Sequence, residues 1–252
     1  MSRKGGVGKT TTTLQLGHVL AAHRGDRVLA FDGNPDAGSL ADRVRRETTA
    51  TITDLLRDRA RVERYADIRG YTSQAQTRLE VLAADDDPQI TEALRREDLD
   101  AAVDLLERHY NLLLIDTGTG VLTPASKGIQ ALADQTIVVS GPSLDTARVA
   151  MSTLDWLAEH GHAELVSAAV VAINAIRSTT RLDLDEVERM FRSRVREVVR
   201  IPWDAALDGG GETSLDEIGG PTRDAYLTLA ATVADGFGAA GAAAPSPRGQ
   251  ED

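Results

Sequence analysis

Cysteine is absent from this 252-residue chain. Its absence excludes disulfides, thiolate metal sites and cysteine-held iron–sulfur clusters. Aromatic residues make up only 4%, so a core must be assembled from Ala, Leu, Val and Ile. Long apolar runs are missing too. The runs present, such as Leu112 to Ile115, are strand-sized and fall far short of the roughly 18 residues of a membrane span. The first residues are basic and glycine-rich, so they do not read as a signal peptide, and a cytoplasmic location is expected. Positive charge is in the minority, with 28 basic against 39 acidic side chains and a net charge of −11. That balance disfavours non-specific DNA binding. Lysine is scarcer still: it stands only at positions 4, 9 and 127, and every other basic side chain is arginine.

Two of those three lysines fall in the opening stretch MSRKGGVGKTTTT. Lysine and arginine are not interchangeable where a compact point charge meets a phosphate. Gly8-Lys9-Thr10 fits the end of the phosphate-loop pattern G-x-x-x-x-G-K-[ST], although Arg3 stands where the first glycine belongs. Gly5, Gly6 and Gly8, with Val7 among them, let successive backbone N–H groups converge on phosphates without Cβ clashes. The N-terminus of the following helix adds partial positive charge. Lys9 is then expected at the β- and γ-phosphates, the Thr10 hydroxyl on Mg²⁺, and Thr11 at the α-phosphate.

The rest of the chain alternates strand and helix. Helices are expected over 8–23, 36–46, 52–57, 91–109, 124–133, 145–160, 184–194 and 221–237. Strands are expected over 27–32, 78–82, 111–116, 135–139, 168–173 and 195–201. Strands separated by helices of this length imply an α/β fold: a mostly parallel β-sheet with helices on both faces. Residues 1–237 form one expected domain. From Gly238 the composition collapses to Ala, Gly, Pro and Ser, which reads as a disordered tail over 238–252. The dense arginines at 177, 181, 189, 192, 194, 196 and 200 are interleaved with acids. They read first as a solvated face laced with ion pairs, with a partner or DNA face as the alternative.

Further candidate residues follow from position. Asp116 ends a strand of four apolar residues and is followed by Thr117-Gly118-Thr119-Gly120. A carboxylate emerging there can hold Mg²⁺. Phe31-Asp32-Gly33-Asn34-Pro35-Asp36 ends the strand before it. Asn174 follows Val170–Ile173, and Ile201-Pro202-Trp203-Asp204 closes the last strand.

The sequence Lys4-Gly5-Gly6-Val7-Gly8-Lys9-Thr10 resembles the deviant Walker A motif of the ParA/MinD family of P-loop ATPases, and the resemblance extends over about residues 2–237. It implies ATP and Mg²⁺ as ligands and a homodimer formed on ATP binding, in which Lys4 crosses to the partner's nucleotide. Asp116 corresponds to Walker B, while Asn174, Pro202 and Asp204 correspond to the adenine pocket. No Asn-Lys-x-Asp guanine element follows Asn174, so ATP is favoured over GTP. In the family's D-x-D-P segment the second Asp positions the attacking water. This chain keeps Asp32 and Pro35 but carries Asn34 there. An amide holds a water but cannot take its proton, so slow hydrolysis is expected.

The segments Gly25-Asp26-Arg27-Val28, Asn34-Pro35-Asp36, Tyr71-Thr72-Ser73-Gln74 and Arg78–Leu82 narrow the resemblance. They are similar to MinD-like nucleotide-binding proteins associated with actinobacterial type VII secretion. The implied function is an ATP-dependent dimerisation switch with an unidentified protein partner, serving secretion or intracellular positioning. The alternative is a chromosome- or plasmid-partition ParA, which binds DNA as an ATP dimer. The tail over 238–252 carries no basic amphipathic helix of the kind that anchors MinD to membranes. The family also implies a central strand before the phosphate loop, yet only Met1 and Ser2 precede Arg3. That first central strand is therefore expected to be missing, as in an N-terminally truncated version of a longer protein, leaving neighbouring ladder groups orphaned.

Overall fold

In a computed structural model, residues 1–33, 38–85, 87, 95–119, 124–177, 179–180 and 183–237 are described. Among the described residues seven strands form two sheets. The first holds β1 (Val28–Asp32), β2 (Ser73–Gln74), β3 (Glu80–Leu82) and β4 (Leu112–Asp116), in the order β2-β3-β1-β4. The second holds β5 (Ile137–Ser140), β6 (Val170–Ile176) and β7 (Glu197–Pro202), in that order. Every pairing is parallel except that of the short edge strand β2 with β3.

Helices α1 (Lys9–His23) and α10 (Gly220–Ala234) pack on one face across both sheets. On the other face, α2 (Ile52–Asp58) and α4 (Arg96–Leu106) cover the first sheet. There α6 (Leu144–Glu159) and α8 (Leu184–Arg192) cover the second. Strand β1 shows why: Val28 and Ala30 point to the α1–α10 core, whereas Leu29 and Phe31 point to the α2–α4 core. Side chains alternate along a strand, so burial on both faces requires an unbroken apolar run. Each fully buried Leu or Phe contributes roughly 1.5–3 kcal/mol. Strand β6 divides in the same way, with Val170 and Ala172 on one side and Val171 and Ile173 on the other.

Side-chain caps set several helix starts. Thr51 and Asp54 form a reciprocal capping box on α2, and Ser143 with Thr146 does so on α6. Asp183 accepts from the N–H groups of Asp185 and Glu186 at the start of α8. Each such cap contributes about 1 kcal/mol.

Between β4 and β5 lies a slot of about 700 Å³, bordered by Leu112–Ile115 and Ile137 and floored by Leu16, Leu20, Val233 and Phe237. Among the described residues no strand fills it. Met1 lines it and pairs with β5. Its amino group donates to the Ile137 carbonyl, and its carbonyl accepts the Val139 N–H at 2.9 Å. Those two bonds are one step of a parallel ladder.

One expected helix is corrected. Residues 36 and 37 lie outside the described residues, and from Gly38 the chain is irregular until a single 3-10 turn at Ala41–Arg43. The Leu40 N–H bonds the Asp32 carboxylate at 3.1 Å instead of a helical carbonyl. A Cβ on Gly38 would sit 1.7 Å from that carboxylate. The expected start of the 91–109 helix and the tail over 238–252 also lie outside the described residues. Among the described residues, five short elements have no counterpart in the sequence reading: the 3-10 turn Arg59–Arg61, α3 (Tyr65–Ile68), α7 (Ala163–Ser167), α9 (Ala205–Asp208) and β2. Each is four or five residues or fewer, too short to leave a periodic pattern. Among the described residues no helix is long and apolar enough to cross a membrane.

Candidate nucleotide site

The site lies at the carboxyl ends of the strands, where open α/β sheets hold their ligands. Gly6 and Gly8 take positive φ, 72° and 88°, and α1 starts at Lys9. The N–H groups of its first turn therefore have no intrahelical carbonyl, and Gly8 supplies no side-chain cap. They form an open donor cluster of the kind that binds anions. Gly8 is required twice over, since a Cβ there would also lie 2.7 Å from the Asn174 amide nitrogen.

Thr10 and Asp116 meet across the site. The Thr10 hydroxyl donates to Asp116 Oδ2 at 2.5 Å. Asp116 is paired in register with Asp32 on the neighbouring strand, so both carboxylates sit at the same edge. Burial pushes the Asp116 pKa up, and the Thr10 hydrogen bond partly offsets it. Burial also lowers the pKa of Lys9, against the pull of Asp116. The Lys9 ammonium contacts the Lys4 carbonyl at 3.4 Å. The buried amino terminus of Met1 falls to about 5, with burial the main cause. A desolvated carboxylate beside a hydroxyl is a hard-oxygen pair that fits Mg²⁺.

The other predicted residues are placed as follows. The Lys4 side chain is exposed and has no side-chain partner among the described residues. Asp32 is buried, and its Oδ2 holds the Leu40 N–H. Asn34 lies outside the described residues. Asn174 lies within β6, which continues to Ile176 through an irregularity with Ala175 at φ 59°. Its amide donates to the carbonyls of Val7 and Gly8 and to Thr12 Oγ1, at 3.1, 3.3 and 2.8 Å. Asn174 thus ties the loop to the second sheet, while its Oδ1 is buried without a partner. Asp204 has both oxygens engaged, by the N–H groups of Ala206 and Gly219 at 3.0 and 2.7 Å. It shapes the turn after Pro202.

Two residues escaped the sequence reading. Thr12 receives the Asn174 amide and donates to the Gly8 carbonyl at 2.8 Å. Arg43 donates to Thr11 Oγ1 at 2.9 Å. The run of four threonines hinted at Thr12, but nothing distinguished Arg43 from its neighbours Arg45 and Arg46. Among the described residues the dense arginines are in part ion-paired, while Arg189 and Arg196 bond backbone or amide oxygens instead. Arg200 meets Asp185 and Glu188, Arg192 meets Glu188 and Glu197, and Arg194 meets Asp155. Arg181 lies outside the described residues.

Comparison with known proteins agrees with this fold. ESX-1 secretion-associated protein EspI of Mycobacterium tuberculosis (strain H37Rv) is 40% identical over 241 residues, covering 94% of this chain and 36% of EspI. The chain thus spans about a third of that relative's length. A ParA family ATPase from Chlorobium tepidum superimposes with a TM-score of 0.77 at 18% identity, covering 92% of this chain and 95% of that one. The septum site-determining protein MinD of Pyrococcus horikoshii, complexed with Mg-ADP, does so with a TM-score of 0.74 at 21% identity, covering 95% and 96%. Both share the mostly parallel α/β fold. Residues 1–210 match the CobQ/CobB/MinD/ParA nucleotide-binding domain, and the chain belongs to that family.

Proposed function

We propose that this domain binds ATP with Mg²⁺ on the loop from Lys4 to Thr11 and acts as an ATP-dependent dimerisation switch with slow hydrolysis. The observation that carries the reading is the Thr10–Asp116 bond beneath an open helix N-terminus with Lys9 beside it. In this reading the N–H groups of the loop and Lys9 hold the phosphates, while Thr10 and Asp116 hold Mg²⁺. When bound, the ion offsets charge on the terminal phosphates. Asn174 Oδ1, an unpartnered acceptor, suits the adenine amino group, with Pro202 beside it and Asp204 fixing the turn behind. Asn34 holds the attacking water without taking its proton, which keeps turnover slow.

Lys4, exposed and without a side-chain partner among the described residues, is the residue that crosses to the partner's nucleotide. The similarity to EspI, a secretion-associated protein, supports a role in a type VII secretion assembly, with a protein partner as the recipient of the switch.

Calorimetry and size-exclusion chromatography with and without ATP–Mg²⁺ test both halves. Lys9→Ala should weaken ATP binding at least roughly 100-fold, since several charge-assisted bonds are lost. Lys4→Ala should bind ATP within a few-fold of wild type yet remain monomeric. ATP affinity unchanged in Lys9→Ala would refute the phosphate site, and an ATP dimer in Lys4→Ala would refute the crossing lysine.

A further inference from the structure

Arg43 ends the 3-10 turn that follows the Asp32 loop. Its Nη1 donates to Thr11 Oγ1 at 2.9 Å, it makes no ion pair among the described residues, and its Nε is buried without a partner. On its far side the guanidinium faces the Gly209–Gly211 turn, where a Cβ on Gly210 would lie 3.5 Å from Nη2. Gln15 lines the same small pocket with Thr11, Leu207 and Thr213, and its Oε1 is likewise buried and unpaired. A cation with a buried, unused donor therefore stands against the first turn of α1, beside the phosphate loop.

We infer that Arg43 is a further phosphate-binding residue of this site, donating with Thr11 to the phosphate group next to the sugar. The inference rests on the nucleotide reading above and extends it to a residue outside the loop motif. A hydroxyl has one hydrogen and two lone pairs, and guanidinium nitrogens only donate. Because Arg43 fills a lone pair of Thr11 Oγ1, the Thr11 hydrogen is left to point at an incoming anion. The two groups then converge on one phosphate, and the planar guanidinium suits a forked contact in a way that a lysine ammonium does not. Arg43 comes from the first sheet, and the Gly209–Gly211 turn it faces follows the second. An anion held there links segments from both sides of the site.

The test is calorimetric titration of ATP and of ADP, each with Mg²⁺, into wild type, Arg43→Gln and Arg43→Lys, together with melting of the nucleotide-free proteins. The phosphate next to the sugar is common to both nucleotides. Arg43→Gln should therefore weaken ATP and ADP by the same factor, roughly 10- to 100-fold, and Arg43→Lys should recover part of the loss. The melting temperatures of the free proteins should stay within a few degrees of one another. Unchanged affinities overturn the inference, as does a loss confined to ATP, which would put the contact on the terminal phosphate. A lowered melting temperature with intact affinity makes Arg43 a strut and overturns it as well. If Lys9→Ala abolishes binding while Arg43→Gln does not weaken it, only the Arg43 inference falls. Wild type that binds neither nucleotide removes both readings.

Discussion

The two sheets bring different things to the loop that lies between them. The β2-β3-β1-β4 sheet contributes the charged chemistry: Asp116 under Thr10, Asp32 in register beside it, and Arg43 on the segment that Asp32 holds. The β5-β6-β7 sheet contributes neutral positioning groups. Asn174 grips the loop carbonyls, and Asp204 is spent on capping its own turn. The two are joined by α1 and α10, while both ladder bonds of Met1 go to β5, with a slot of about 700 Å³ between the sheets. A ligand that touches both sides would substitute for ladder contacts the sheets do not make with each other. Nucleotide binding and the cohesion of the domain are then one equilibrium.

Filling the slot is the strongest way to break this contrast. An engineered extension of about five apolar residues ahead of Met1 should continue its parallel pairing with β5 and satisfy the open edge of β4. Each buried ladder group left unpaired costs roughly 1–3 kcal/mol. Several such groups correspond to a rise in melting temperature on the order of 10 °C for a domain of this size. A polar, glycine-rich extension of equal length should give none of it. Equal melting of the two extended proteins would show that the slot is not a strand site.

The next effect is confined to the first sheet. Replacing Asn34 by Asp supplies a general base two residues beyond Asp32 in the sequence, and steady-state phosphate release should rise, with general-base assistance typically about 10²–10⁴-fold. Unchanged release would mean that another group already serves the water.

The smallest effect separates the sheets by pH. His18 on α1 is buried beside Thr77, in the turn joining β2 and β3, and burial lowers its pKa from 6.5 to about 4. The unfolded chain takes up this proton near pH 6.5 and the folded chain only near 4. The contribution of His18 is therefore fully present above pH 6.5 and is lost as pH falls through that window. The loss amounts to about 2 kcal/mol by pH 5. Denaturant unfolding of His18→Gln should show a flatter acid limb than wild type between pH 6.5 and 5. Parallel curves would mean that this side chain is not buried in its neutral form.

Much of this arrangement could be read from the residues. Unbroken apolar runs such as Leu112–Ile115 mark strands buried on both faces, and the glycines with Lys9 and Thr10 announce a phosphate loop because few other uses need that spacing. Asp116 was legible as a carboxylate at a strand end. The irregular path after Gly38 was not, because local propensity favours a helix there. A bond from Leu40 to Asp32, eight residues back, overrides it. Nor was the double use of Asn174, since its partners Val7, Gly8 and Thr12 are more than 160 positions away.

The sequence by itself determined which elements form and which loop is built for an anion, because helix and strand periodicity and glycine's freedom at positive φ are local properties. Only the tertiary structure decided that Thr10 lies 2.5 Å from Asp116, that Arg43 rather than Arg45 or Arg46 reaches Thr11, and that the sheet divides at a slot beside Met1. Those outcomes depend on how strands far apart in the chain are ordered side by side, and that order is set by packing on both faces of the sheet rather than by any short stretch of residues.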